Sequence, residues 1–286
     1  MNGKDKVFAH IDKSGFGLEI GPSHNPLAPK KEGYNIHIID HMSRDQLIEK
    51  YRDHHVNLEN IEEVDFVWSG ENFEDLTGKS KFYDYIIASH VIEHTPNLIG
   101  FLQNCDSVLK NNGVVSLVVP DKRYCFDYYR PISGISKIID SHYNNCNIHT
   151  PGSVAEYFLN VVSKSGNIAW NHDFSGEYCF VHSLADASNG IKSVTQDMAY
   201  LDVHAWCFTP SSFRLIIHDL FSLAFIPFQE VCYFETDGCE FYVTLGRNGQ
   251  GITESRLKLL ENIELELSQP APHNSKLQKP WWKFWR

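Results

Sequence analysis

Five residues, His90-Val91-Ile92-Glu93-His94, carry the His-x-x-Glu-His spacing at which two imidazoles can hold zinc beside a glutamate acting as general base. That chemistry needs both histidines on one helical face and a further ligand downstream. Here His90 directly follows an apolar, strand-like run, and Thr95-Pro96 signals a fresh helix one residue after His94. The five residues are therefore expected on a loop, and no metal site is expected from them. The chain has 15 histidines, so any one of them is more often a surface or satisfied core residue than a ligand.

A second constellation is Glu19-Ile20-Gly21-Pro22-Ser23-His24-Asn25-Pro26-Leu27-Ala28-Pro29, with Asp40 downstream. Gly21 permits a sharp turn and close backbone approach. Asp40 closes the next apolar run, where a carboxylate can accept hydrogen bonds from a ribose. A pyrophosphate would want three spaced glycines and free backbone N–H groups. This loop has one glycine and three prolines, which remove donors, so a dinucleotide-dependent dehydrogenase is disfavoured. S-adenosylmethionine, a cofactor with ribose and adenine but no phosphate, suits the loop better. Glu19 would face its cationic amino-acid end, directly or through water, and Asp40 its hydroxyls.

These residues need a frame that brings strand ends together. Short β-branched runs at 16–20, 35–39, 64–68, 83–88 and 114–119 alternate with helical patterns, which predicts an α/β fold with a parallel sheet and crossover helices. Ser43 and Gln46 form a capping box. Thr95-Pro96 is expected to start a helix with Leu98, Phe101, Leu102, Cys105, Val108 and Leu109 buried and Gly113 beyond its end. Residues 121–205, rich in aromatics, Asn, Ser and His, break the rhythm, with helical patches at 135–143 and 154–163. Thr209-Pro210 opens a further helix. Two β runs, 228–235 and 240–245, flank Asp237-Gly238, the turn signal of an antiparallel hairpin. A polar, leucine-bearing helix is expected over 252–267.

Composition bounds the partners. The chain has 286 residues, 42% hydrophobic and 21% charged, which is the balance of a folded globular protein. Seven cysteines without a Cys-x-x-Cys suit a reducing cytosol. The opening Met1–Lys6 reads as lacking a signal peptide, and no apolar run approaches the roughly 20 residues of a spanning helix. The net charge of −11 divides unevenly: residues 1–272 hold 21 basic and 36 acidic residues, while Lys276, Lys279, Lys283 and Arg286 are all basic. An acidic body repels a polyanion, so nucleic acid is not an expected partner.

Taken in order, Glu19-x-Gly21, Asp40, Gly70-Glu71, Tyr83-Asp84-Tyr85, Glu93-His94 and the terminal hairpin resemble the class I S-adenosylmethionine-dependent methyltransferases over residues 14–120 and 205–247. The resemblance implies a Rossmann-like, seven-stranded, mostly parallel sheet ending in an antiparallel β-hairpin, with a helical insertion after the fifth strand. It implies a methyltransferase domain over 1–272, with an acceptor-binding insertion at 121–205. Glu19, Gly21, Asp40, Glu71, Ser89 and His90 would bind the cofactor. Asp121, His94 and His204 are the candidates for removing a proton from an acceptor, with His142 and His182 behind them. Leu18–Pro26 together with Pro120–Asp127 looks like a bacterial subgroup that accompanies surface-polysaccharide glycosyltransferases. This implies a cytoplasmic enzyme that methylates a small molecule or glycan precursor, most simply at oxygen. The rival reading is a non-catalytic, methyltransferase-like module docked on a glycosyltransferase or membrane complex, motivated by the missing glycines and the tail. Lys122, Arg123, Tyr124, Tyr128, Tyr129 and Arg130 read either as an acceptor pocket or as a packed lid. The basic, aromatic residues 279–286 read as a peripheral membrane foot at the inner face, a glycosyltransferase-docking peptide or a free end.

Overall fold

The computed structural model describes residues 1–268, so the tail at 273–286 lies outside the described residues. In chain order the elements begin with α1 (Gly3–Val7), β1 (Gly17–Ile20), β2 (Ile36–Asp40), α2 (Arg44–Tyr51), β3 (Phe66–Val67), α3 (Phe73–Thr77) and β4 (Tyr83–Ser89). There follow α4 (Leu98–Val108), β5 (Leu109–Pro120), α5 (Ile135–Tyr143), α6 (Pro151–Asn160), β6 (Val162–Lys164), β7 (Tyr178–Phe180) and α7 (Leu184–Thr195). The last elements are α8 (Pro210–Ser222), β8 (Gln229–Asp237), β9 (Glu240–Gly246) and α9 (Arg256–Ser268).

Seven strands form one sheet in the order β3-β2-β1-β4-β5-β9-β8. The first five run parallel, and β9 is antiparallel to both β5 and β8. The order reverses between β1 and β4, which opens a crevice at the carboxyl ends of those strands. The expected α/β class, mostly parallel sheet and terminal hairpin are all present. The hairpin turn is centred on Gly238-Cys239, because Asp237 still pairs with Glu240. Gly238 takes φ +69°, as the first central residue of a II′ turn requires.

Helices cover both faces of the sheet, so the central strands are apolar on both. Leu18, Ile20, Ile86, Ala88, Leu117 and Val119 face a core shared with Leu102 and Cys105 of α4 and Phe213 and Ile216 of α8. Ile36, Tyr85, Ile87 and Val118 face the other way, against Val7 and Phe8. The predicted stripe of α4 is buried throughout. Its start and end differ from expectation. Asn97, rather than Thr95, is the N-cap and accepts from Gly100 N at 2.9 Å, because the Thr95 hydroxyl donates back to Ile92 O at 2.8 Å. The chain then passes straight from Val108 into β5, so Gly113 lies inside that strand. A Cβ there would stand 2.8 Å from Asp84 O, so the close approach of β4 and β5 calls for glycine at this position.

The insertion holds α5, α6, the β6–β7 pair and α7. Its return segment, 203–208, comes back across the strand ends: Ala205 N and Trp206 N donate to Glu93 O at 2.7 and 3.2 Å, and the Trp206 indole N–H donates to Thr95 O at 2.7 Å. Thr209 then starts α8 as expected, its N–H donating to Ser212 Oγ at 2.8 Å. Among the described residues no helix is long and apolar enough to cross a membrane.

Candidate active site

Glu19, the last-but-one residue of β1, is buried, and its two oxygens accept from Leu27 N at 2.6 Å and Ala28 N at 3.1 Å. It therefore pins the 21–28 loop into a closed turn. Burial pushes its carboxyl up to about 7, against the two N–H donors that favour the ion. Gly21 begins that turn at φ +65°, and an added Cβ would stand 3.0 Å from Val91 Cγ2. The loops after β1 and β4 thus touch across the crevice.

Asp40 ends β2 with its carboxylate buried. It accepts from Ser23 N at 2.8 Å, His41 N at 2.8 Å and the His41 ring at 2.6 Å. The Ser23 hydroxyl also approaches Oδ2, at 3.5 Å, the longest of the four contacts, and the His41 ring beside Oδ1 is 44% exposed, so these two are the partners that hydroxyls of a ribose would replace. Gly70, at φ +115°, has no atom within 4 Å of where a Cβ would stand, and Glu71 beside it is exposed, with a carboxylate that accepts from Ser69 N at 2.8 Å. A hydroxyl acceptor on β2, an open glycine rim and a loop with three prolines fit a ribose-bearing cofactor without pyrophosphate. Asp40, Gly21 and the Gly70-Glu71 rim are the residues that would hold it.

Ser89 ends β4 half-buried. His90 follows in the left-handed region, φ +54°, with Nε2 2.7 Å from Glu240 on β9 and Nδ1 3.5 Å from Glu93 Oε1. Residues 92–94 form a 3-10 turn, so the His-x-x-Glu-His run lies on a loop as the sequence predicts. His90 therefore faces β9 and Glu93.

The second half of the site is assembled across the chain. Glu93 is 0% exposed, and neither carboxylate oxygen has a hydrogen-bond partner. His204 Nε2 lies 3.9 Å and His94 Nε2 4.0 Å from its Oε1, with the two imidazole rings edge to face at 4.5 Å. Each imidazole is fixed by a carboxylate on its other nitrogen. His94 Nδ1 lies 2.9 Å from Asp202, and His204 Nδ1 lies 2.5 Å from Asp127, which Arg130 clamps at 2.8 Å. Burial holds His204 below its ordinary pKa despite Asp127. For His94 burial acts the same way, but the Asp202 hydrogen bond and the nearby carboxylates outweigh it and the pKa rises. Burial also opposes ionisation of Asp202, yet His94, Lys50 and His41 hold it well below the usual carboxylate range. Lys50 and His41 flank Asp40, so the cluster and the cofactor crevice adjoin through Asp202.

Other candidates sit elsewhere. Asp121 is buried at the end of β5, where it accepts from Arg123 Nε at 2.9 Å and Thr236 Oγ1 at 2.6 Å and holds the hairpin to the sheet. His142 packs on Phe225 and His182 on Phe158, away from the cluster. The basic-aromatic run is a packed lid: Lys122 donates to Tyr128 O at 2.7 Å, and the buried Arg130 bridges Asp127 and Glu156. Its tyrosines 128 and 129 gather with Tyr178 at the surface. Sequence reasoning does not single out Asp127, Asp202 or His149, because no local spacing links them to Glu93. Next to the cluster, between α5 and α6, is a cleft of ≈ 250 Å³ whose walls include Lys137, Asp140, Asn144, His149, Thr150 and Trp206.

Two solved structures resemble the chain over most of its length. They are the CcbJ methyltransferase from Streptomyces caelestis (12% identity, 86% of this chain and 96% of that one, TM-score 0.44) and an S-adenosylmethionine-dependent methyltransferase from Methanosarcina mazei (12%, 85% and 97%, TM-score 0.41). A search of curated proteins returned no match. The family model described as a methyltransferase domain matches residues 3–212, so the chain belongs to that methyltransferase family, with S-adenosylmethionine as its cofactor.

Proposed function

We propose that this methyltransferase acts at oxygen, on a hydroxyl of a small-molecule or glycan acceptor that enters beside the insertion. The observation that carries the reading is the cluster of Glu93 and His94, on the loop where β4 ends, with His204 of the return segment, adjoining the cofactor crevice. Bound S-adenosylmethionine supplies a methyl carbon already activated by its sulfonium. What remains for the protein is to align the acceptor and ionise its hydroxyl. Glu93 has two oxygens without a hydrogen-bond partner, and His204, neutral and oriented by Asp127, presents Nε2 towards them. These atoms are the proton acceptors of the cluster. The cleft beside the cluster supports a hydroxylated acceptor, since Asp140, Asn144 and Thr150 set hydrogen-bonding side chains in its walls.

The test is Glu93→Gln. General-base assistance is worth about 10²–10⁴-fold in rate, so kcat with a hydroxylated acceptor should fall by at least about a hundredfold while S-adenosylhomocysteine affinity holds. A parallel loss of cofactor affinity would place Glu93 in the cofactor site. Methyl groups found on nitrogen or carbon of the product would overturn the oxygen assignment.

A further inference from the structure

Glu93 is a fully buried carboxylate with no hydrogen-bond donor on either oxygen, and burying such a group costs free energy unless a charge compensates it. The groups nearest to it are imidazole nitrogens. One ligand atom from each of Glu93, His94 and His204 can be chosen so that all three lie within 4.8 Å of one another. Metal-binding histidines almost always donate their second ring N–H to a carboxylate or carbonyl, which fixes the tautomer and aims the lone pair of the other nitrogen. Both histidines here have that brace, His94 from Asp202 at 2.9 Å and His204 from Asp127 at 2.5 Å. Asp127 is itself held by the buried Arg130.

We propose that Glu93, His94 and His204 bind one divalent transition-metal ion of the zinc type. Two imidazoles and one carboxylate are a donor set for zinc and its first-row neighbours. Bonds of about 2.0–2.2 Å place tetrahedral ligands about 3.3–3.5 Å apart. The present 3.9 and 4.0 Å separations from Glu93 therefore need inward shifts on the order of half an ångström. Three protein ligands leave a coordination position open, and the His94 side chain, 13% exposed, marks the way in. The site differs from the helical zinc pattern suggested by His90-x-x-Glu93-His94. His90, with Nε2 held by Glu240 at 2.7 Å and Nδ1 3.5 Å from Glu93 Oε1, borders the donor set as a neighbour of Glu93, and the second imidazole ligand is His204, 111 residues along the chain from Glu93.

The role of the ion rests on the proposed oxygen methylation, although its binding does not. In the metal-loaded chain a cation in this position draws charge from an acceptor hydroxyl and lowers its pKa, so that the proton leaves to solvent; in the metal-free chain the uncoordinated Glu93 and His204 Nε2 are the groups that take it.

The full-length chain, stripped with chelator and dialysed, is titrated with Zn²⁺ by calorimetry and with Co²⁺ by visible absorption. The expected result is saturable binding of one equivalent, a d–d spectrum typical of low coordination number, and a rise in the melting midpoint on adding Zn²⁺. Glu93→Gln and His204→Gln should each weaken binding more than about tenfold, and Asp202→Asn about 10- to 100-fold as an outer-shell change. His142→Gln, away from the cluster, should leave binding unchanged. Circular dichroism establishes that each variant is folded. No saturable binding by the folded wild-type chain overturns the site, and so does undiminished binding in the cluster variants. Methyl transfer to a hydroxyl by a chain that binds no metal would overturn the metal site alone. Metal binding without transfer to any hydroxyl acceptor would overturn only the oxygen assignment.

Discussion

Glu19 makes the stability of this protein depend on pH in an uncommon direction. Carboxylates that are paired or hydrogen-bonded in the folded state are stabilised as ions and protect the fold as pH rises. Burial instead raises Glu19 from 4.5 to about 7, because two N–H donors, Leu27 and Ala28, do not make up for its removal from water. Between these values the folded chain keeps a proton that the unfolded chain has released. The stability that Glu19 contributes is therefore complete below about pH 4.5 and is lost as pH rises through about 7. A shift of about 2.5 units at 1.36 kcal/mol per unit makes this loss about 3 kcal/mol. Glu19→Gln does not titrate. Its amide must turn an NH₂ towards one of the two donors, which costs a constant amount at every pH. The difference in unfolding free energy between variant and wild type should thus shift by about 3 kcal/mol in favour of the variant from pH 4.5 to 8. Urea denaturation across that range measures it. A difference that stays flat with pH would show that Glu19 titrates near its ordinary value and that the loop donors outweigh burial.

Asp40→Ala removes the carboxylate that ends β2, and S-adenosylhomocysteine should bind at least about tenfold more weakly by calorimetry, about 1.4 kcal/mol; unchanged affinity would remove Asp40 from the cofactor site. Arg130→Met leaves Asp127 buried beside His204 without its clamp and should destabilise the chain by about 3–5 kcal/mol in denaturant titrations. Gly17→Ala would place a Cβ 2.2 Å from the Tyr85 ring across the β1–β4 pairing. Overpacking there should cost about 1–3 kcal/mol, read as a lower melting midpoint.

Features encoded within a few residues of one another were legible in the sequence. The Ser43–Gln46 capping box, the buried stripe of α4, the span 135–143 and the Pro210 helix start all depend on spacings of three or four residues, and the structure contains each. The apolar runs of β1, β2, β4 and β5 likewise report strands buried on both faces. Legibility fell where two local signals competed. Thr95-Pro96 has the form of a helix start, but the hydroxyl had a nearer acceptor in Ile92 O, and Asn97 took the cap. Helix α7 and the β6–β7 pair went unseen within a segment whose composition resembles loop.

Residue types and local periods thus determined the class of fold, the strand ends that border the crevice and a loop whose single glycine and three prolines suit a pyrophosphate poorly. Tertiary structure alone decided which histidines come together. His94 and His204 stood ahead of His142 and His182 in one dimension without a spacing that joined them to each other, and burial and partners now do so. The return of residues 203–208 over the β4 loop, fixed by Ala205 and Trp206 on Glu93 O, carries His204 to Glu93, and the packed run 122–130 brings Asp127 behind it. Contacts across 77 and 111 residues leave no periodic trace in a sequence, because they arise from how packed layers close over one another.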